Sequence, residues 1–133
     1  RDAVVGTALF LTQLAESGQR VSALRSTYPN WFMSKGKLAL PAVDVDAALM
    51  QLMEAHPEAE VNTVDGVKFD LEEGWVHLRK SNTEPIIRVY AEASSLEAAA
   101  ALGDRFKNEL RGLLRALADS TKKVHFCVPA AAP

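Results

Sequence analysis

The chain has 133 residues, 48% of them hydrophobic and 24% charged, with a net charge of −2. That length suits one domain, or one domain and a piece of another, with enough core to need no disulfide. No apolar run approaches the ~20 residues of a membrane span. Lys and Arg are interspersed with Asp and Glu, which argues against nucleic acid as the main partner.

Cys127 stands alone, so no intramolecular disulfide can form, which fits a reducing, cytoplasmic setting. Its surroundings, Val124–Val128, read as an apolar run in which a small buried thiol is the simpler account than a nucleophile. The chain starts Arg1-Asp2, without an initiator Met or a signal pattern, and is read as a piece of a longer protein.

In chain order, Ala3–Ser17 has helical spacing, with Val4, Ala8, Leu11 and Ala15 on one stripe and Gly18 at the left-handed cap position. A short helix follows from Ser22 to about Thr27, stopped by Pro29. No strand precedes these helices for them to pack on, so residues 1–27 read as the end of a preceding domain and 28–133 as a second domain. The boundary is placed near Ser26–Asn30.

Trp31–Leu40 reads as a strand, with Gly36 as a bulge. Asp44 or Asp46 caps a helix carrying Val45, Leu49, Leu52 and Met53, ended by Pro57. Val61–Val64 and Val67–Leu71 flank the hairpin signal Asp65-Gly66, and Glu72-Glu73-Gly74 makes a second turn. Trp75–Arg79 alternates Val76 and Leu78 against Trp75, His77 and Arg79. After the polar loop Lys80–Pro85 comes a strand, Ile86–Glu92. Ser94–Leu117 is a long helix with capping-box spacing between Ser94 and Glu97 and a stripe of Leu96, Ala99, Phe106, Leu110, Leu113 and Leu117. Val124–Val128 reads as one more strand, and the Ala/Pro end as frayed. This order predicts an α+β fold: a mostly antiparallel sheet with helices on one face.

The stretch richest in chemistry is Arg79-Lys80-Ser81-Asn82-Thr83-Glu84-Pro85-Ile86-Ile87-Arg88. Alternation sets Arg79 opposite Val76 and Leu78, and Arg88 opposite Ile87, Val89 and Ala91. If the apolar residues face the helices, both guanidiniums lie on the open face near the loop mouth. Two planar charged donors, two hydroxyls and an amide suit a phosphate dianion. Lys80 alternates away from Arg79 and reads as solvated, and Glu84 as a turn residue. Ser, Asn and Pro also favour turns for purely local reasons, so a polar surface hairpin is the competing reading.

This stretch resembles the phosphate-binding signature of the α-D-phosphohexomutases: phosphoglucosamine mutase, phosphomannomutase and phosphoglucomutase. Asp65–Asp70 with Gly74-Trp75-Val76, Tyr28-Pro29 with Lys35-Gly36-Lys37, and Arg1-Asp2 with Ala8–Leu11 resemble further segments of that family. The resemblance spans about residues 1–118. It implies a fourth domain of TATA-binding-protein-like fold, preceded by a helix of the adjacent α/β domain. In the whole enzyme it implies interconversion of hexose 6-phosphate and hexose 1-phosphate through a bisphosphate. Arg79, Ser81, Asn82, Thr83 and Arg88 would then bind the phosphate that is not reacting. The phosphorylated-serine segment, the Asp-rich magnesium loop and the sugar-selecting loop of the family are absent from this sequence. Mg and the catalytic residues are therefore assigned to other domains of the parent, and the 133 residues alone are expected not to turn over substrate.

Among the remaining titratable residues, His56, His77 and His125 match no compact metal motif. His56 suits a helix end. His77 shares a face with Arg79, and Asp44, Asp46 and Glu54 read as helix-surface charges. Trp31 is either an anchor or core, and Phe32 is expected in the core. The expected partners are a hexose phosphate and the other domains, with no nucleic acid and no membrane. A stand-alone protein-interaction module is the alternative, which a complete reading frame starting near Arg1 would favour.

Overall fold

The computed structural model describes residues 2–125 and divides between Asn30 and Trp31 into two compact units. The first holds α1 (Ala3–Ser17) and α2 (Val21–Ser26). Asp2 caps α1 through its carboxylate, which accepts from the amides of Val4 at 2.9 Å and Val5 at 3.1 Å. Gly18 ends the helix at φ +61°. No residue of α1 is buried, and Val4, Val5, Leu9 and Leu11 are exposed.

The second unit is the α+β domain expected from the pattern. Its elements are β1 (Phe32–Ala39), α3 (Val45–Ala55), β2 (Glu60–Asn62), β3 (Val67–Leu71), β4 (Gly74–Lys80), β5 (Ile86–Ala93) and α4 (Leu96–His125). The strands form one sheet in the order β1-β5-β4-β3-β2, and every pairing is antiparallel. Helices α3 and α4 cover one face. Leu49 and Leu52 from α3, with Leu102, Phe106 and Leu110 from α4, pack against Leu38, Phe69, Val76, Leu78, Ile87 and Val89. Period-2 alternation in β4 and β5 therefore leaves Trp75, His77 and Arg79, and Arg88 and Tyr90, on the other face.

Several expectations need correction. Gly36 is no bulge, because β1 pairs with β5 without interruption from Phe32↔Ala93 to Ala39↔Ile86. Strand β2 stops at Asn62, whose side-chain oxygen accepts the Val64 amide at 3.0 Å and turns the chain early. The cap of α4 is Ser95, whose hydroxyl accepts from the Ala98 amide at 3.0 Å, so the box between Ser94 and Glu97 does not form. Leu96, in the first turn, is exposed, and the buried stripe runs through Ala99, Leu102, Phe106, Leu110 and Leu114.

Phe32 is also exposed, because it opens an edge strand with a neighbour on one side only. The last helix continues past Leu117 to His125. Val124 and His125 are thus helical rather than extended, while the rest of the Val124–Val128 run, Cys127 and the Ala/Pro end lie outside the described residues. No helix among the described residues is long and apolar enough to cross a membrane.

Candidate functional site

The site is built at one end of the β4–β5 hairpin. Arg79 and Arg88 are direct cross-strand partners, so both stand on the open face. The Ser81 amide donates to the Ile86 carbonyl at 2.9 Å and closes the loop base. The Ile86 amide donates to the Glu84 carbonyl at 2.8 Å, a tight turn centred on Pro85, whose fixed φ suits it. The Leu40 amide donates to the Pro85 carbonyl at 2.9 Å and ties the loop to the end of β1. Backbone bonds thus shape the loop and leave its side chains uncommitted. Ser81 and Thr83 hydroxyls touch only at 3.5 Å, the outer limit of a hydrogen bond.

Arg79, Ser81, Asn82, Thr83 and Arg88 line one cavity of about 220 Å³, together with Lys80 and Tyr90. The structure therefore brings together all five residues singled out in the sequence. Lys80 alternates to the helix side of the strand, where its ammonium pairs with both oxygens of Asp46 at 2.6 and 2.8 Å. It is ion-paired rather than merely solvated.

Two participants were not read from the sequence. Tyr90 lines the cavity because it follows Arg88 by two on the same strand, a signal available from alternation alone. Asp65 comes from the β2–β3 loop, and its carboxylate forms an ion pair with Arg79, Oδ1 lying 3.1 Å from Nε. The same loop is held by His77, whose Nε2 sits in short contact with the Asp65 carbonyl and so carries the proton there. Gly66 makes that approach possible. Its φ is +80°, and a Cβ would stand 2.4 Å from the Leu78 carbonyl oxygen.

Lys35 and Lys37 on β1 extend the open face, pairing in register with Tyr90 and Arg88. Elsewhere the charges have other work. His56 caps α3 and stacks on Phe106 at 4.5 Å, with Nδ1 2.9 Å from Glu58 and Nε2 2.6 Å from Glu109. Burial pushes its pKa down. The hydrogen bonds to Glu58 and Glu109, with their charge, outweigh burial and hold it above its ordinary value. Among the described residues no three His, Cys, Asp or Glu side chains converge to hold a metal ion.

Residues 40–109, which include the whole loop, match the family model described as phosphoglucomutase/phosphomannomutase, C-terminal domain. This chain belongs to the phosphoglucomutase/phosphomannomutase family. A probable phosphoglucosamine mutase of Methanopyrus kandleri is 34% identical over 113 residues, 83% of this chain and 25% of the relative. A phosphoglucomutase/phosphomannomutase of Thermococcus kodakarensis is 35% identical over 101 residues, 74% of this chain and 22% of the relative. A crystal structure of a phosphoglucomutase/phosphomannomutase family protein from Burkholderia thailandensis aligns with a TM-score of 0.48 at 30% identity, covering 69% of this chain and 20% of that one. The chain thus spans about a quarter of the length of the curated phosphohexomutases it matches.

Proposed function

We propose that this chain is the phosphate-holding end of a cytoplasmic phosphohexomutase that interconverts hexose 6-phosphate and hexose 1-phosphate through a bisphosphate. The observation that carries this reading is the direct cross-strand pairing of Arg79 with Arg88 at the base of a loop whose Ser81, Asn82 and Thr83 line the same cavity. Arg79 and Arg88 offer two guanidinium groups, and the loop two hydroxyls and an amide. Together these bind the phosphate that is not reacting and fix the sugar's orientation. Phosphoryl transfer, and the Mg that neutralises charge during it, belong to other domains of the parent. Unit one, with the exposed apolar face of α1, is the closing segment of the domain before.

Such contacts in an exposed cavity limit what the chain does alone. Each charge-assisted hydrogen bond contributes roughly 1.5–3 kcal/mol, against an association cost of at least about 4 kcal/mol. Roughly three such contacts, about 8 kcal/mol together, leave an affinity near millimolar, about −4 kcal/mol. The chain should therefore bind a hexose phosphate weakly and turn none over.

The test is a titration of the ¹⁵N-labelled chain with glucose 1-phosphate. The amides of Ser81, Asn82 and Thr83 should move, and stationary amides there would end the reading. For the parent protein, assay on glucosamine 6-phosphate, mannose 6-phosphate and glucose 6-phosphate decides which sugar it serves. Inactivity on all three would remove the mutase assignment.

A further inference from the structure

Asp65 is gripped at two points from a single strand. His77 and Arg79 stand two residues apart on the open face of β4. His77 Nε2 donates to the Asp65 carbonyl, and Arg79 Nε lies 3.1 Å from the Asp65 carboxylate. Gly66 lets the β2–β3 turn lie this close, since a Cβ there would stand 3.2 Å from Arg79 Cα and 3.3 Å from His77 Nε2. The two grips differ in kind. The Asp65 and Arg79 side chains are both well exposed, and such a pair contributes little while it holds two mobile side chains in one geometry. Val64, beside Asp65, is almost wholly exposed, so its packing does not fasten the turn. The His77 contact is made to backbone, by a half-buried ring set between Tyr90 and Lys68 of the neighbouring strands. Arg79 also borders a second cavity, of about 360 Å³, lined by Asp46, Thr63 and Asp65 among others. Its side chain therefore has room beside it, and packing alone does not set its direction.

We infer that His77 is a positioning residue for Arg79: by fixing the Asp65 backbone it keeps the Asp65 carboxylate at Arg79 Nε, and so restrains the guanidinium at the loop cavity before a ligand arrives. The inference rests on the loop reading proposed above for what Arg79 binds. A guanidinium holds a phosphate through directed, planar hydrogen bonds, so its orientation matters as well as its charge. Freezing a long side chain during binding lowers affinity, and one already restrained loses less. His77 touches no ligand in this scheme. It acts through the turn, and the turn acts through one carboxylate.

The test uses the ¹⁵N-labelled chain with His77→Phe, which keeps a ring but no donor, and His77→Gln, whose amide can donate to the same carbonyl. Imidazole nitrogen shifts of the original chain should show the Nε2–H tautomer. Without ligand, relaxation of the Arg79 Nε–H should report a restrained side chain in the original and in His77→Gln. In His77→Phe it should be as mobile as in Asp65→Ala. Affinity for glucose 1-phosphate should fall about three- to tenfold in His77→Phe and return to within about twofold of the original in His77→Gln. With Asp65→Ala already present, adding His77→Phe should change affinity by less than about twofold, because the link is already cut. Retained amide dispersion confirms that each variant folds. An unchanged Arg79 Nε–H in His77→Phe, the Nδ1–H tautomer, no rescue by Gln, or additive losses overturns the inference. So does tighter binding by His77→Phe, which would make Asp65 a competitor of the ligand. An Arg79 released by His77→Phe, with loop amides that stay still during titration, supports the tether and overturns the loop's role.

Discussion

Replacing Arg79 with Gln should cost binding and almost nothing in stability, and the structure says why the two separate. The bridge to Asp65 joins side chains that are 42% and 58% exposed, so it is worth about 0.2–1 kcal/mol. Against it stands the repulsion from Arg88 directly opposite, also about 0.2–1 kcal/mol. Removing Arg79 loses the first and relieves the second, so the unfolding free energy should change by no more than about 0.8 kcal/mol. A phosphate, by contrast, loses a charge-assisted contact worth about 1.5–3 kcal/mol, which is roughly a 10- to 150-fold fall in affinity. Arg79→Lys keeps the charge but not the fork and should fall between. Urea unfolding measures the first quantity and titration with glucose 1-phosphate the second. A stability loss above about 1.5 kcal/mol, or an affinity within threefold of the original, would refute this account of Arg79 as a binding rather than a structural residue.

Gly74→Ala should destabilise the domain by about 3 kcal/mol, the upper part of the range for overpacking. Its Cβ would stand 2.0 Å from the Glu92 carbonyl oxygen and force β4 from β5, and thermal unfolding reads the loss. Phe106→Ala should cost about 3–5 kcal/mol, because the ring is fully buried and packs on Phe69 and His56. Unfolding in urea checks it. The His56 imidazole has its folded pKa raised above the ordinary value of about 6.5, so its stabilising share is complete below that value and lost as pH rises through the folded one. Glu58 is the opposite case. Its pKa is lowered, first by the hydrogen bond from His56 and then by a backbone bond, so its share is lost as pH falls through the folded value. Stability of the original chain should therefore decline on the alkaline side, and His56→Gln should flatten that decline in unfolding curves taken from pH 6 to 9.

Much of the site was legible because a strand has period two. Once Val76, Leu78, Ile87 and Val89 are taken as core, Arg79 and Arg88 have one face left to occupy, and the short loop makes them neighbours. What stayed hidden needed information from another strand. Asp65 reaches Arg79 only because Val67 pairs with Leu78, a register set at the other end of the hairpin by the turn between Leu71 and Gly74. Ser94 and Ser95 both look like caps, and the Glu97 spacing favoured the wrong one, since a hydroxyl contact is settled by geometry that local pattern does not encode. Phe32 looked like core because it is aromatic in a strand, yet its position at the start of an edge strand leaves it uncovered.

Helix α1 has a practical consequence for handling the molecule. Val4 is 78% and Leu9 67% exposed, and a helix that shows so much hydrocarbon to water invites sticking between copies at high concentration. Purified on its own, the 133-residue polypeptide should be better behaved when shortened to begin at Trp31, since the sheet and both of its covering helices are retained in that piece.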